Sequence, residues 1–170
     1  MSRSRHQQGV TLIEVLTAML VFSVGLIGAA ELMLVASHVN HTAYLRTQVA
    51  FVAQNMVERM QANLTGVWRG DYNGTYPDSS AQDCSAGCTP QRLALHDRQL
   101  FGDQLKTFLP PNAQARVLCS NGGLAYVPTP EQWAWRPPYG GNCAMTVTWI
   151  ERRLGSAIPS AETLAWEFQP

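Results

Sequence analysis

Four cysteines are the residues of this chain whose type and spacing could do chemistry most directly, namely Cys84, Cys88, Cys119 and Cys143. Such thiols either pair as disulfides or bind a metal ion. A zinc site built from Cys84, Cys88 and His96 is the rival to a disulfide, because thiolates and imidazoles are the ligands that zinc prefers. The other two cysteines have no second cluster of ligands near them in the sequence, and this favours disulfides over zinc.

Combinations of side chains that could catalyse a reaction are weak elsewhere in the chain. His96 and Asp97 are adjacent on a predicted helix, where consecutive residues do not face each other. His38 and His41 share a helix face, but no acidic or thiol partner is close to them in the sequence. We therefore predict a protein that is not an enzyme, with no catalytic residue, no metal and no cofactor.

Length and charge exclude several classes of protein. A chain of 170 residues has room for one domain, or for a small domain plus an extended element. Twelve basic and 12 acidic residues give a formal net charge of zero, so no nucleic-acid partner is expected. The chain is 46% hydrophobic but only 14% charged, against about 25% charged residues in ordinary globular proteins. The apolar residues must therefore be concentrated in one part of the chain.

That concentration is at the N-terminus. Residues 10–30 contain one ionisable residue, Glu14, and a second apolar run follows Glu31. About 20 such residues in a helix span a bilayer. Basic and no acidic residues precede the run, so the positive-inside rule places the N-terminus in the cytoplasm; these basic residues are Arg3, Arg5 and His6. We expect a single membrane pass that is retained, since no turn signal ends the apolar run as it would in a cleaved secretory signal.

The helical pattern continues beyond the apolar run as a stripe. Apolar residues recur at steps of three and four, which predicts an amphipathic helix that ends near Asn63. The stripe consists of Val35, Val39, Leu45, Val49, Val52, Met56, Met60 and Leu64. A helix over residues 10–63 is too long for a small domain to cover, so the stripe indicates either a protein built to assemble or a membrane anchor with a plain stalk.

The remainder of the chain predicts a small α+β head domain. A turn-rich stretch over residues 63–80 is interpreted as a linker. Thr89 and Pro90 have the types expected at the cap and first position of a helix, which Pro110 and Pro111 would end. Period-two alternation predicts antiparallel strands, at Ala115–Cys119, Cys143–Ile150 and Leu164–Phe168. The fold class is therefore α+β, with a long N-terminal helix and a head of one short helix and an antiparallel sheet.

The cysteines fall in this head domain, on the non-cytoplasmic side of the predicted membrane segment. Oxidising compartments favour disulfides. Of the three possible pairings we prefer Cys84 with Cys88, which closes a local loop, and Cys119 with Cys143, which joins two predicted strands. A loop rich in aromatic residues and proline, with Trp133, Pro137, Pro138, Trp135 and Tyr139, is either a contact surface or part of the small core.

Glu14 is the unusual residue of the apolar segment. A carboxylate inside hydrocarbon is costly and marks a functional contact, unless it reaches the interface near the start of the helix. Its setting is Gly9, Val10, Thr11, Leu12, Ile13, Glu14 and Val15, directly after the short basic segment. This sequence resembles the class III signal of type IV pilins and type II secretion pseudopilins. The family usually has an aromatic residue after the glycine, where this chain has Val10.

The resemblance implies how the N-terminus is processed. Residues 1–9 would be a leader that the prepilin peptidase removes by cleavage between Gly9 and Val10, and the same enzyme would methylate the new Val10 amine. That amine could then neutralise the Glu14 carboxylate of a neighbouring subunit, in a medium where a lone charge is costly. Glu14 would thus serve recognition and register between subunits.

A second resemblance narrows the family. The segments Ala43–Gln48 and Asn55–Asn63, with the later Gly70-Asp71-Tyr72, are similar to the type IV pilus modification protein family, minor pilin V. The likeness extends from about Gln8 to Asn73, whereas the rest of the chain is similar only in layout. It implies a non-enzymatic minor pilin that acts in assembly, priming and filament or tip function, including adhesion and twitching motility.

The resemblance also implies partners and location. The partners would be the prepilin peptidase, other minor pilins, the major pilin, the assembly platform and a tip adhesin. The protein would reside in the bacterial inner membrane with its head in the periplasm, then in the pilus. The expected division of the chain is a leader at 1–9, a helix at 10–63 and a head domain at 64–170. A type II secretion pseudopilin is the alternative, and a membrane-anchored periplasmic enzyme or binding domain is the remoter one.

Overall fold

The computed structural model describes residues 9–79, 81–123, 126–152 and 158–170. The basic residues Arg3, Arg5 and His6 lie outside the described residues. The chain divides into two compact units, Met1–Thr42 and Ala43–Pro170, which we call the first and the second unit. The expected division into a leader, a helix and a head domain at residues 9 and 63 stays a prediction.

Helix α1 extends over Leu12–Ala62, close to the predicted range. In the second unit the predicted stripe is buried together with Ala53 and Val57, and its members here are Leu45, Val49, Val52, Met56 and Met60. Val35 and Val39 belong to the first unit and are half or more exposed. The stripe therefore contributes to the core of the second unit only from Leu45 onward.

The turn-rich stretch after α1 is not a linker, and this interpretation of the sequence was wrong. It holds a short helix α2 at Leu64–Trp68 and a strand β1 at Gly74–Tyr76. Val67, Tyr72 and Tyr76 from this stretch are almost completely buried. Single buried aromatic residues between turns have no period, so pattern analysis does not detect them.

Helix α3 covers Pro90–Phe108, and the predicted helix is confirmed at both ends. The Thr89 side chain accepts a hydrogen bond from the Arg92 N–H, which caps the helix, and Pro90 occupies its first turn. The helix ends two residues before Pro110. Its buried face includes Phe101 and Leu105.

Three further strands complete one antiparallel sheet: β2 at Gln114–Ser120, β3 at Asn142–Glu151 and β4 at Ser160–Phe168. The strand order is β1-β2-β3-β4. Alternate residues of β3 are buried, including Met145, Val147 and Trp149, and they join the α1 stripe in one hydrophobic core. The predicted α+β class, with a long N-terminal helix, a shorter helix and an antiparallel sheet, is confirmed.

Candidate functional site

The candidate site is the start of the first unit, where Gly9, Val10 and Thr11 precede α1. These three residues belong to no helix or strand, and they are exposed. A Cβ atom added to Gly9 would meet no described heavy atom within 4 Å. Packing among the described residues therefore does not require a glycine at position 9. Its backbone is open to a reagent or an enzyme.

Thr11 and Glu14 together start the helix. The Thr11 carbonyl accepts hydrogen bonds from the N–H groups of Glu14 and Val15, at 3.1 and 3.3 Å. Glu14 lies in the first turn, where its negative charge is favourable beside the positive end of the helix dipole. The Thr17 hydroxyl donates to the Glu14 carbonyl at 3.0 Å. The carboxylate is thus placed at a defined position on the helix surface, four residues after Val10.

Val10 and Glu14 line the same surface groove, whose volume is about 550 Å³. Its other lining residues are apolar: Val15, Ala18, Met19 and Phe22. Glu14 is the one charged residue among these six, and it lies between the N-terminal segment and the apolar helix surface. The groove can therefore accept an apolar surface that carries a positive charge.

The apolar part of α1 is exposed over its whole circumference. Every residue from Gly9 to Ser37 is exposed, and the most apolar 18-residue window of α1 has a mean hydropathy of 2.2 with none of it buried. By length and composition α1 is the one helix among the described residues that could span a membrane. Such a surface is suited to lipid or to apolar partner helices.

The second unit contains a buried polar network that pattern analysis of the sequence missed. The Asp97 carboxylate accepts hydrogen bonds from Arg59 Nη1 at 3.1 Å and from the Tyr72 hydroxyl at 2.7 Å. Asn63 Nδ2 donates to the Tyr72 oxygen at 3.0 Å and to the Pro90 carbonyl at 2.8 Å. The buried side chains of Asn63 and Asp97 are therefore hydrogen-bonded. The network connects α1, the following loop and α3.

Tyr72, a member of this network, keeps its phenolic proton. Burial raises the pKa of its phenol far above the ordinary value, and the hydrogen bond to Asp97 raises it further. Burial also raises the pKa of Tyr76 well above the ordinary value. Both phenols are neutral donors, and the Tyr76 hydroxyl donates to the Tyr72 carbonyl at 2.5 Å. In this geometry both hydroxyls donate hydrogen bonds inside the second unit, Tyr72 to Asp97 on α3 and Tyr76 to the loop that follows α2.

His96 and Asp97 do not bond to each other. His96 Nδ1 lies 2.6 Å from the Gln82 carbonyl, whereas the neighbouring Asp97 carboxylate bonds to Arg59 and Tyr72. His38 and His41 belong to the first unit. The described ranges contain no group of three His, Cys, Asp or Glu side chains that could hold a metal ion.

Both disulfides are formed in the preferred pairing. Cys84 bonds to Cys88, and Cys119 bonds to Cys143 at directly opposite positions of β2 and β3. A zinc site on Cys84, Cys88 and His96 is incompatible with this arrangement, because the two sulfur atoms are bonded to each other. The second disulfide joins two adjacent strands at the end of their ladder.

The aromatic loop, which the sequence left as either a contact surface or part of the core, contains residues of both kinds. Tyr139 is buried, with an edge-to-face contact to Trp68 at 4.7 Å between ring centroids. Trp135, at the end of a 3-10 turn over Gln132–Trp135, is 81% exposed. Trp133 is half-buried, and the guanidinium carbon of Arg69 lies over its ring, 5.3 Å from the ring centroid. The loop thus both fills the core and presents Trp135 on the surface.

Comparison with known protein families identifies the N-terminal segment. Residues 4–30 match the family described as the prokaryotic N-terminal methylation motif. The chain carries a pilin-like N-terminal motif. The motif points to a type IV pilin-like protein, of a pilus or of a pseudopilus, and so to a structural subunit. The chain has no significant match among curated proteins or among solved structures.

The matched range contains every residue of the candidate site. Gly9, Val10 and Glu14 all fall within residues 4–30, as does most of the exposed apolar surface. The motif is consistent with processing by a prepilin peptidase and with an inner-membrane anchor. The second unit lies outside the match, so the arguments about it come from its own contacts.

Proposed function

We propose that this protein is a minor pilin of the type IV pilus, a structural subunit that acts in assembly and priming of the filament and in adhesion or twitching motility. The observation that carries the proposal is the methylation motif at residues 4–30, on a helix whose apolar surface is exposed on all sides. An apolar helix of this kind can leave lipid only for a partner that offers an equally apolar surface. A filament core of packed helices offers such a surface.

Processing is the first step of the proposed role. The prepilin peptidase cleaves between Gly9 and Val10 and then methylates the Val10 amine. The exposure of Gly9 and Val10 supports this, as does the absence of any described atom that packs against a Cβ at position 9. In this proposal the peptidase recognises the glycine at position 9.

Glu14 is the assembly residue in this proposal. The groove that Glu14 and Val10 line is apolar except for the carboxylate. A lone charge is costly in such surroundings, so an opposite charge from a neighbouring subunit gains most when it binds there. The methylated amine of that neighbour supplies the positive charge on an apolar helix end. This contact fixes the stagger between adjacent helices.

The location follows the same order. The N-terminus is in the cytoplasm, α1 crosses the inner membrane, and the second unit is in the periplasm before assembly and in the pilus afterwards. The two disulfides support an oxidising compartment for the second unit. The partners are the prepilin peptidase, the assembly platform, the major pilin, other minor pilins and a tip adhesin. The similarity of residues 8–73 to the minor pilin V family supports the minor pilin role.

N-terminal mass spectrometry of sheared surface filaments tests the proposal. We expect this chain in the filament fraction, with an N-terminal peptide that begins at a methylated Val10. Detection of the chain in a secretion pseudopilus, with normal piliation in its absence, would assign it instead to a type II secretion system. A mature protein that retains residues 1–9 would contradict both assignments and favour a membrane-anchored enzyme or binding domain.

A further inference from the structure

Strand β4 is the long outer strand of the sheet. It pairs with β3 from Ser160 to Phe168, and no strand pairs with its other side in the part of the chain that the structure describes. The opposite edge is β1, which has three residues and is followed by Pro77. An outer strand presents a row of N–H and C=O groups that can pair with another chain. Only the β4 edge offers such a row over nine residues.

The inner face of β4 is apolar but incompletely covered. On β3 the inward side chains of Met145 and Val147 are at most 1% exposed. Their partners on β4, Trp166 and Leu164, face the same side and are only partly buried, and the same is true of Phe168. We call Leu164, Trp166 and Phe168 the apolar ledge. The core therefore lacks one row of side chains beyond β4.

A groove runs between the apolar ledge and α1. It has a volume of about 290 Å³ and is lined by Leu164, Ala165 and Trp166 on β4 and by Ala50 and Gln54 on α1. Ala50 and Gln54 are one helical turn apart, and the small side chain of Ala50 leaves the space open. Side chains of a strand added to β4 would enter this groove on their inward face.

Charge indicates the chemistry of the added strand. Strand β4 carries two carboxylates, Glu162 and Glu167, and no basic residue. Glu162 has Arg46 at 3.8 Å on the inner face, whereas Glu167 is exposed on the outer face opposite Ala144. A strand with a lysine or arginine on its outer face would place a positive charge beside Glu167, and opposite charges across a strand pair are favourable.

We propose that the β4 edge binds an extended segment of another protein chain, which adds to the sheet as a fifth strand. Alternate apolar residues of that segment cover the apolar ledge, and a basic residue on its outer face pairs with Glu167. Main-chain hydrogen bonds supply the affinity, and the groove beside Ala50 supplies the selectivity. The proposal concerns the second unit and holds whether or not the chain enters a filament.

A synthetic peptide tests this on the full chain in detergent micelles. The probe is a nine-residue peptide that alternates valine with threonine and lysine, and the matched control replaces each lysine with glutamate. Hydrogen exchange followed by mass spectrometry reports on the residues of β4. We expect the basic probe at saturation to slow exchange of β4 amides roughly tenfold, and the acidic peptide at the same concentration to have little effect.

Two variants locate the binding site. Ala50→Phe fills the groove from an exposed position and should abolish protection by the basic probe. Gln61→Phe adds the same ring to another exposed position of α1, away from the groove. In this variant the basic probe should still protect β4. The proposal is wrong if the basic probe gives no protection, or if Ala50→Phe is protected as well as Gln61→Phe. Protection that appears without peptide and increases with protein concentration would assign the edge to a second copy and would also overturn it.

Discussion

Arg59 on α1 and Asp97 on α3 form an ion pair inside the second unit, with 3.1 Å between Nη1 and Oδ1. The Asp97 side chain is 4% exposed, and it also accepts a hydrogen bond from the Tyr72 hydroxyl. One carboxylate therefore satisfies two donors from different parts of the chain. Removing Asp97 costs more than the pair itself contributes, because the buried Tyr72 hydroxyl is left without an acceptor.

The first prediction concerns this carboxylate. Asp97→Ala should lower the free energy of unfolding of the second unit by about 3 kcal/mol, because Arg59 Nη1 and the buried Tyr72 hydroxyl both lose their acceptor. The control is Asp103→Ala, which removes an exposed pair with Lys106 and should cost less than about 0.5 kcal/mol. Urea unfolding followed by tryptophan fluorescence measures both variants. Equal stability of the two would show that the buried network contributes nothing.

The second prediction concerns alkaline pH. Burial raises the pKa of Tyr72 and Tyr76, so the folded chain keeps two phenolic protons that the unfolded chain loses above its ordinary pKa near 10. The two protonated phenols contribute fully to the stability of the folded chain below pH 10, and this contribution is lost as the pH rises further. Each tyrosine should contribute a decrease of about 1.4 kcal/mol per pH unit above that point.

Denaturant unfolding between pH 9 and pH 12 tests this pH dependence. In Tyr76→Phe the free energy of unfolding should fall less steeply with pH, by about 1.4 kcal/mol per pH unit, because one of the two tyrosines is gone. The variant should also be less stable than the parent protein at neutral pH. Tyr44→Phe, at an exposed ring, should unfold as the parent protein does at each pH. A Tyr76→Phe variant with an unchanged slope would argue against a buried, protonated phenol at position 76.

The two disulfides should differ in their contribution to stability, because they close loops of different length. Cys119 and Cys143 are 24 residues apart, and Cys84 and Cys88 are four apart. On the chain-entropy account, replacing Cys119 and Cys143 by serine should lower the free energy of unfolding by roughly 3.5 kcal/mol. Replacing Cys84 and Cys88 should lower it by roughly 2 kcal/mol. Thiol labelling should find no reactive cysteine in the native protein before reduction. Two labelled cysteines per chain would contradict the presence of both disulfides.

Leader cleavage should depend on Gly9. Gly9→Val should leave an uncleaved precursor in the inner membrane, because the peptidase no longer recognises the site, and no described contact is disturbed by the larger side chain. Gly25→Ala, which also adds a side chain in open space, should be processed normally. Immunoblotting of membranes separates precursor from mature chain. Normal maturation of Gly9→Val would rule out the proposed cleavage site.

Replacement of Glu14 separates an anchor from an assembling subunit. An anchor should tolerate Glu14→Leu, because a carboxylate at a helix centre costs up to about 2.5 to 3.5 kcal/mol on insertion scales. If Glu14 pairs with the amine of a neighbour, the same change leaves that amine without its counter-charge, which costs about 3 to 5 kcal/mol when buried, and assembly should fail although insertion and cleavage proceed.

Incorporation into sheared pili measures this effect, at equal membrane levels and equal cleavage. Glu31→Leu removes the other acidic residue near the apolar segment and should be incorporated like the parent chain. Equal incorporation of Glu14→Leu would remove the pairing role from Glu14. The leader assignment would remain, because cleavage depends on Gly9.

Periodic elements of the fold could be predicted from the sequence, and aperiodic ones could not. The stripe from Leu45 to Met60 and the cap at Thr89 follow local rules of spacing and residue type, and both are present. Tyr72 and Tyr76 lie in a stretch rich in turns, where their burial depends on α3 and the sheet. Long-range packing of this kind leaves no periodic signal.

The candidate site shows the same division. Gly9, Val10 and Glu14 form a short local motif, so the sequence suffices to indicate them. The Arg59–Asp97 pair joins residues 38 positions apart, and nothing in the spacing of the two indicates that they meet. The open edge of β4 is likewise a property of strand order, which is decided only when the sheet forms.

Asn63 has a mechanical consequence for any role in which α1 is pulled. Its amide caps α2 through the Gly66 N–H and bonds to the Tyr72 hydroxyl and the Pro90 carbonyl, while Arg59 one turn earlier bonds to Asp97. Tension on the end of α1 is therefore shared by several directional bonds that reach α3, in addition to the apolar stripe. The helix cannot slip by one turn under load without breaking these bonds together.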